Sequence, residues 1–285
     1  MSAAVSLSDH RRAEGALNHQ RARGALAVAF KRRGPATVLA DLHQQGCLKA
    51  RFPRPVDFAE AVLLNTSGGI AGGDRLELDL TVQDGASACF TAQAAERFYR
   101  ALPGDPPARI RTRLNIGHGA AAEWLPQESI LFNNCALDRQ LEIDAAADAW
   151  FLGVENLVFG RQLMGEQVIA ARIADTIRIR RAGRLILHDA IRLNGPVAEV
   201  LARPATAAGA IAVATLVHLA PDAESRLESL RAAWETAAAE TGASAWDGML
   251  VGRIVAGHGA DLRAAIVAGL RVLRAGRPLP RVWQC

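Results

Sequence analysis

Two stretches of this chain match each other at a fixed spacing. "LELDLTVQDGASACFTAQ" (Leu76 to Gln93) aligns with "IRTRLNIGHGAAAEWLPQ" (Ile110 to Gln127). The matched pairs include Leu80 with Leu114, Val82 with Ile116, Gly85 with Gly119, Phe90 with Trp124 and Gln93 with Gln127. Each copy reads as a strand, a turn of small residues and a second strand carrying an aromatic. A shorter third copy, "LEIDAAADAWFLG", runs from Leu141 to Gly153. A lone unit of this kind cannot bury its apolar face, and repeated units do so by stacking on one another. The repeat therefore predicts a mainly β protein, with layered sheets in a stacked, β-helix-like arrangement. The competing reading is chance self-similarity in an alanine-rich chain.

The alternation of apolar and polar residues supports the first reading. Leu76, Leu78, Leu80 and Val82 share one face of a strand, with Glu77, Asp79 and Thr81 on the other. Ile110 to Ile116 alternates in the same way, with Arg111, Arg113 and Asn115 outward. "DTIRIRRAGRLILHDAIRL" predicts a hairpin in which Ile177 and Ile179 face Leu185 and Leu187. Further strands are expected at Ala25–Phe30, Ala36–Leu42, Ala59–Leu64, Ala149–Val154 and Ile211–Leu219. The last quarter changes period. "PDAESRLESLRAAWETAAAE" places Leu227, Leu230 and Trp234 at helical spacing, with an end before Gly242. A strand is expected at Gly248 to Gly257, then a second helix from "GADLRAAIVAGLRVLRAG". Residues 1–23 read as a flexible basic tail, and residues 24–285 as a single domain.

Several function classes fall away on chemistry. "NTSGGIAGGDRL" holds four glycines, Gly68, Gly69, Gly72 and Gly73, but Asp74 and Arg75 follow them where a phosphate loop needs Lys and Ser or Thr. A dinucleotide loop would open a helix, and here a strand follows. No nucleophile elbow, zinc-protease motif or catalytic triad is spelled out. His188 and His218 lie in apolar strand runs and read as core or edge residues. Cys47, Cys89, Cys135 and Cys285 form no C-x-x-C pair, which fits a reducing, cytoplasmic setting. The net charge is +4, yet no block of like charges marks a nucleic-acid arm. No apolar run of about 18 residues suggests a membrane span.

The remaining signal is a set of acids in apolar surroundings. Asp74 follows the glycines, Glu128 sits in "WLPQESILF", Glu155 in "FLGVENLVFG" and Glu166 in "GRQLMGE". A buried carboxylate is costly unless it is paired, hydrogen-bonded or hydrated. Each is either a structural partner for one of the many arginines or part of a polar path through the interior. Oxygen ligands without a closed cage hold a divalent ion weakly, which suits transit better than storage. A stand-alone β-solenoid carbohydrate-active enzyme with paired carboxylates is the alternative. Its sugar cleft would be rich in aromatics, and this chain is only 5% aromatic, with Tyr99 as its one tyrosine.

"GGIAGGDRL", "FTAQAAERFYRA", "EWLPQESILF", "VFGRQLMGE" and "LPRVW", in this order, resemble the signature blocks of the urease accessory protein UreD family, called UreH in some organisms. The resemblance covers roughly residues 24 to 284. It departs at Asn65-Thr66-Ser67, where many relatives carry His-Pro-Pro, and at Arg97, where they carry lysine. It implies a mostly β fold with two helices and a role without catalysis. It further implies binding to apo-urease together with UreF and the GTPase UreG, to place nickel in the urease active site. No tightly bound cofactor is implied, only transient Ni²⁺. An internal tunnel with acidic residues along it makes Asp74, Glu128, Glu155 and Glu166 the candidate nickel-transit carboxylates.

Overall fold

The computed structural model describes residues 21–161 and 164–284. In chain order the strands open with β1 (Arg23–Arg33), β2 (Ala36–Gly46), β3 (Leu48–Arg51), β4 (Ala59–Asn65), β5 (Arg75–Val82) and β6 (Ser87–Ala92). There follow β7 (Glu96–Phe98), β8 (Ala108–Ile116), β9 (Ala121–Leu125), β10 (Ser129–Leu131), β11 (Ala136–Ala145) and β12 (Trp150–Phe159). Next come β13 (Ala171–Arg181), β14 (Arg184–Gly195), the short helix α1 (Val197–Ala202) and β15 (Ala212–Leu219). The chain ends with α2 (Leu227–Trp234), β16 (Glu240–Trp246), β17 (Met249–Ala256) and α3 (Gly259–Leu273).

Two sheets form. The first is seven-stranded, in the order β14-β13-β11-β8-β5-β1-β2. The second is ten-stranded; its main path is β16-β17-β15-β12-β9-β6-β4-β3, and β10 and β7 pair beside β12. The repeat in the sequence is the stacking itself. β5 pairs in parallel with β8 so that Leu80 meets Leu114 and Val82 meets Ile116. β6 pairs in parallel with β9 so that Phe90 meets Trp124. The third copy adds the next layer, with Leu114 opposite Ile143 and Ala121 opposite Trp150. The chain passes from one sheet to the other and back in each turn, and no barrel closes.

Parallel pairing lines equivalent side chains into ladders between the sheets. Val28, Leu80, Leu114, Ile143 and Ile179 form one such ladder. None of the five is more than 1% exposed. Burying each contributes roughly 1.5–3 kcal/mol. A second apolar layer lies outside the ten-stranded sheet, where Leu230, Trp234, Ile266 and Leu270 of α2 and α3 cover Leu216 and Ile254. Trp234 Nε1 donates to the Ala265 carbonyl at 2.8 Å and ties the two helices together.

Two local readings need correction. The helix expected through residue 240 is a 3-10 turn (Ala223–Arg226) followed by α2, which ends at Trp234. The alanine run after it, residues 235–239, is a turn, and the chain then enters the edge strand β16, paired antiparallel with β17. Sheet pairing overrides local helix propensity there. In the β13–β14 hairpin Ile179 does face Leu187, but Ile177 faces Asp189, and an irregularity after Ile179 shifts Leu185 onto Arg180. Cys89 and Cys135 are buried, whereas Cys47 is only half-buried. The expected tail falls outside the described residues up to residue 20. Arg21 is held by Asp105 at 2.6 Å, and Arg23 already begins β1. No helix among the described residues is long and apolar enough to cross a membrane.

Candidate functional site

The ladders change chemistry at one level. Following the inward position of β5 and β8 through Leu76 and Ile110, the next rung is Arg139 on β11 and the one after is Asp175 on β13. Strand alternation forces both side chains into the space between the sheets, in phase with Leu137, Leu141, Ile173 and Ile177. The opposite sheet contributes Glu155 from β12 and Ser129 from β10. Arg139 grips Asp175 with two bonds, Nε to Oδ1 at 2.8 Å and Nη2 to Oδ2 at 2.6 Å. Its Nη1 donates to Ser129 Oγ at 2.8 Å, and its Nη2 lies 2.9 Å from Glu155 Oε2. Trp124 Nε1 donates to the other Glu155 oxygen at 2.7 Å.

One guanidinium thus faces two carboxylates. Burial acts to lower the pKa of Arg139, but the charges of Asp175 and Glu155 outweigh it and raise it. For Glu155, burial pushes the carboxyl above its ordinary range, and the attraction of Arg139 only partly offsets this. Geometry explains the asymmetry. Asp175 holds the two-bond grip, and Glu155 Oε2 is buried without a hydrogen bond of good geometry. Glu155 is therefore the less compensated acid.

The cluster lies on the wall of a half-open pocket of about 330 Å³ that reaches between the sheets. The Asn65–Ile70 loop and Glu96 line it, as do Thr112, Trp124, Arg139 and Glu155 deeper in. Thr112 interrupts a ladder of leucines, between Leu78 and Leu141, and leaves space there. Glu96 accepts a bond from Asn65 Nδ2 at 3.1 Å. Burial raises its carboxyl pKa, against the pull of that bond. On the other side of Glu155 a smaller void is lined by Asp175, Asp189 and Thr215. Arg253 pairs there with Asp189 and donates to Thr215 Oγ1 at 2.7 Å. Four acids, Glu96, Glu155, Asp175 and Asp189, thus line the two cavities, with Arg139 set among them.

The glycine loop forms one wall of the cavity. Gly69 has φ +136°, and a Cβ there would stand 2.3 Å from Tyr99 Cε2, so only glycine lets the loop fold against the ring. Asp74 is 5% exposed and acts as a clamp. Its Oδ1 accepts the Ala22 N–H at 2.8 Å, and its Oδ2 accepts the Ala71 N–H at 2.7 Å.

Of the four acids singled out in the sequence, Glu155 alone lines these cavities. Asp74 spends both oxygens on backbone. Glu128 is half-exposed, 3.7 Å from Arg263, and lines a different pocket beside α3. Glu166 pairs with Arg161 at 2.8 Å near the surface. The reading missed Arg139, Asp175, Asp189 and Glu96. A signal for the first two was present: a charged residue in phase with the apolar face of a strand. No three His, Cys, Asp or Glu side chains among the described residues stand close enough to hold a metal ion.

A second buried charge group fixes the C-terminus. Glu123, fully buried, receives two bonds from Arg274 at 2.9 Å and lies 3.0 Å from Arg277. Arg277 stacks over Phe58 and Trp150, and Trp283 Nε1 donates to the Leu125 carbonyl at 3.0 Å. These contacts seal the outer face of β9 without opening a cavity.

Stacked sheets with Arg139, Glu155 and Asp175 turned into the space between them define a mainly β, β-helix-like layered protein. The sequence profile of the UreD urease accessory protein family matches residues 22–284. A urease accessory protein UreD of Methylobacterium sp. (strain 4-46) is 46% identical over 272 residues, covering 93% of this chain and 95% of the relative. Another, of Azorhizobium caulinodans, is 41% identical over 271 residues, covering 94% and 98%. A third, of Rhizobium leguminosarum bv. trifolii, is 42% identical over 265 residues, covering 93% and 96%. The chain belongs to the UreD family, whose members are named as accessory to an enzyme and not as enzymes.

Proposed function

We propose that this protein matures urease by binding the apo-enzyme together with UreF and the GTPase UreG, and that nickel crosses its interior on the way to the urease active site. Family membership supports the urease part. The observation that carries the nickel part is a row of acids along the two cavities, Glu155 and Asp175 buried and Glu96 and Asp189 half-buried. Ni²⁺ is cargo here and not a resident cofactor. Carboxylates used one or two at a time bind a divalent ion weakly enough to release it. Glu155 is the natural contact, because Arg139 satisfies it less completely than Asp175. An entering dication would compete with Arg139 for both acids, so the guanidinium offsets one of the two negative charges while the path is empty.

The test is urease maturation with Glu155→Gln. The substitution keeps the shape and removes the charge. Nickel per urease active site is expected to fall several-fold, while capture of UreF and urease is unchanged. Glu166→Gln, on the surface, is expected to mature urease normally. If Glu155→Gln loads nickel like the parent, transit by way of this cluster is wrong. A protein that only holds its partners together would give that result.

A further inference from the structure

The residue next to Glu155 points the other way. Asn156 faces the layer between the ten-stranded sheet and α3. It is 3% exposed, and neither its Nδ2 nor its Oδ1 has a hydrogen-bond partner. A buried carboxamide left this way is destabilising until something supplies its partners. It lines a pocket of about 690 Å³, a size typical of small-molecule sites. Val158, Ile211 and Ile266 form apolar walls of this pocket.

The N-terminus of α3 lines the same pocket through His258, Gly259 and Ala260. Among the described residues no side-chain hydrogen bond caps this fifteen-residue helix. Its first N–H groups have no intrahelical partner and carry the positive end of the helix dipole. Arg263, which donates to Gln127 and the Trp283 carbonyl, adds positive charge on the wall, and Arg161 stands there with its charge offset by Glu166. Glu128 lies on the same wall, and Asp261 sits in the first helical turn. Those two acids disfavour a doubly charged anion such as phosphate and leave a single carboxylate as the better match.

An orphaned carboxamide needs one acceptor and one donor from its ligand. We propose that this pocket binds an α-amido carboxylate with an apolar side chain. The carboxylate takes Asn156 Nδ2–H and the α3 N-terminus, the amide N–H donates to Asn156 Oδ1, and the side chain enters the apolar wall. Such a group occurs on a free N-acyl amino acid and at the end of a polypeptide. The inference is independent of nickel transit.

The probes are N-acetyl-leucine and a hexapeptide ending in leucine with a free carboxylate, titrated onto the full chain by NMR or calorimetry. Saturable binding of at least one is expected, with Kd below about 10 mM. The amidated forms, which lack the charge, are expected to bind at least tenfold more weakly. Asn156→Leu is expected to abolish binding while keeping or raising the unfolding midpoint, since it removes an unsatisfied polar group. Preference for the hexapeptide marks a chain terminus as the source, and preference for N-acetyl-leucine marks a free metabolite. Absence of saturable binding by the parent would overturn the proposal. So would equal binding by Asn156→Leu, or a crystal structure soaked with the probes that shows only an ordered water on Asn156.

Discussion

Arg139 sets the character of the interior. It is 9% exposed and pairs with two acids that would otherwise stand buried without a partner charge. Arg139→Met is expected to cost about 3–5 kcal/mol of unfolding free energy, because it strands Asp175 and Glu155. The sign of the pH effect follows from Glu155. Its folded pKa is already raised by burial, and losing Arg139 raises it further. A group with a raised folded pKa loses its stabilising contribution as pH rises through that pKa. The variant should therefore be closest to the parent in acid and fall behind toward neutral pH in urea unfolding curves. His218 works in the opposite sense. Burial lowers its pKa, against a hydrogen bond to the Phe151 carbonyl. Nδ1 lies 3.0 Å from that oxygen, so the neutral ring donates from Nδ1. The unfolded chain takes a proton below the ordinary histidine value of 6.5 while the folded chain does not, so stability falls as pH drops from there toward the folded pKa. His218→Leu should flatten that part of the stability profile.

At the scale of elements, the account rests on ladders. Leu114 is fully buried between Leu80 and Ile143, so Leu114→Ala removes a rung with neighbours on both sides. It is expected to cost about 2–5 kcal/mol, measured by denaturant unfolding. The repeat that aligned Leu80 with Leu114 was legible because parallel stacking places equivalent residues opposite one another. α3 was legible from its apolar spacing and the glycines that flank it. β16 was not: Glu240–Trp246 follows directly on an alanine run with helix character and holds Gly242, and only the edge of β17 makes it a strand. The site was half legible for a related reason. Glu155 stood out as an acid in an apolar run. Arg139 and Asp175 were hidden, because their meaning depends on a register between strands 36 residues apart, which one sequence does not display. Glu128 had the same local look as Glu155 but fell on the outer side of the sheet. A shift of one position along a strand decides which face a residue takes.

For the whole molecule, the stack separates two tasks. The ladders and the Glu123–Arg274 lock make a rigid body, while the level holding Thr112, Arg139 and Glu155 stays polar and partly open. Thr112 is the economical place to close it. It is 5% exposed, lines the cavity and replaces a leucine in its ladder. The most direct measurement is nickel per urease active site after maturation with Thr112→Trp. Folding is checked by its unfolding midpoint, and assembly by capture of UreF and urease. If nickel crosses the interior, the folded and assembled variant loads several-fold less nickel than the parent. If it loads nickel at the parental level with the cavity filled, the ion takes another route and the interior acids are structural.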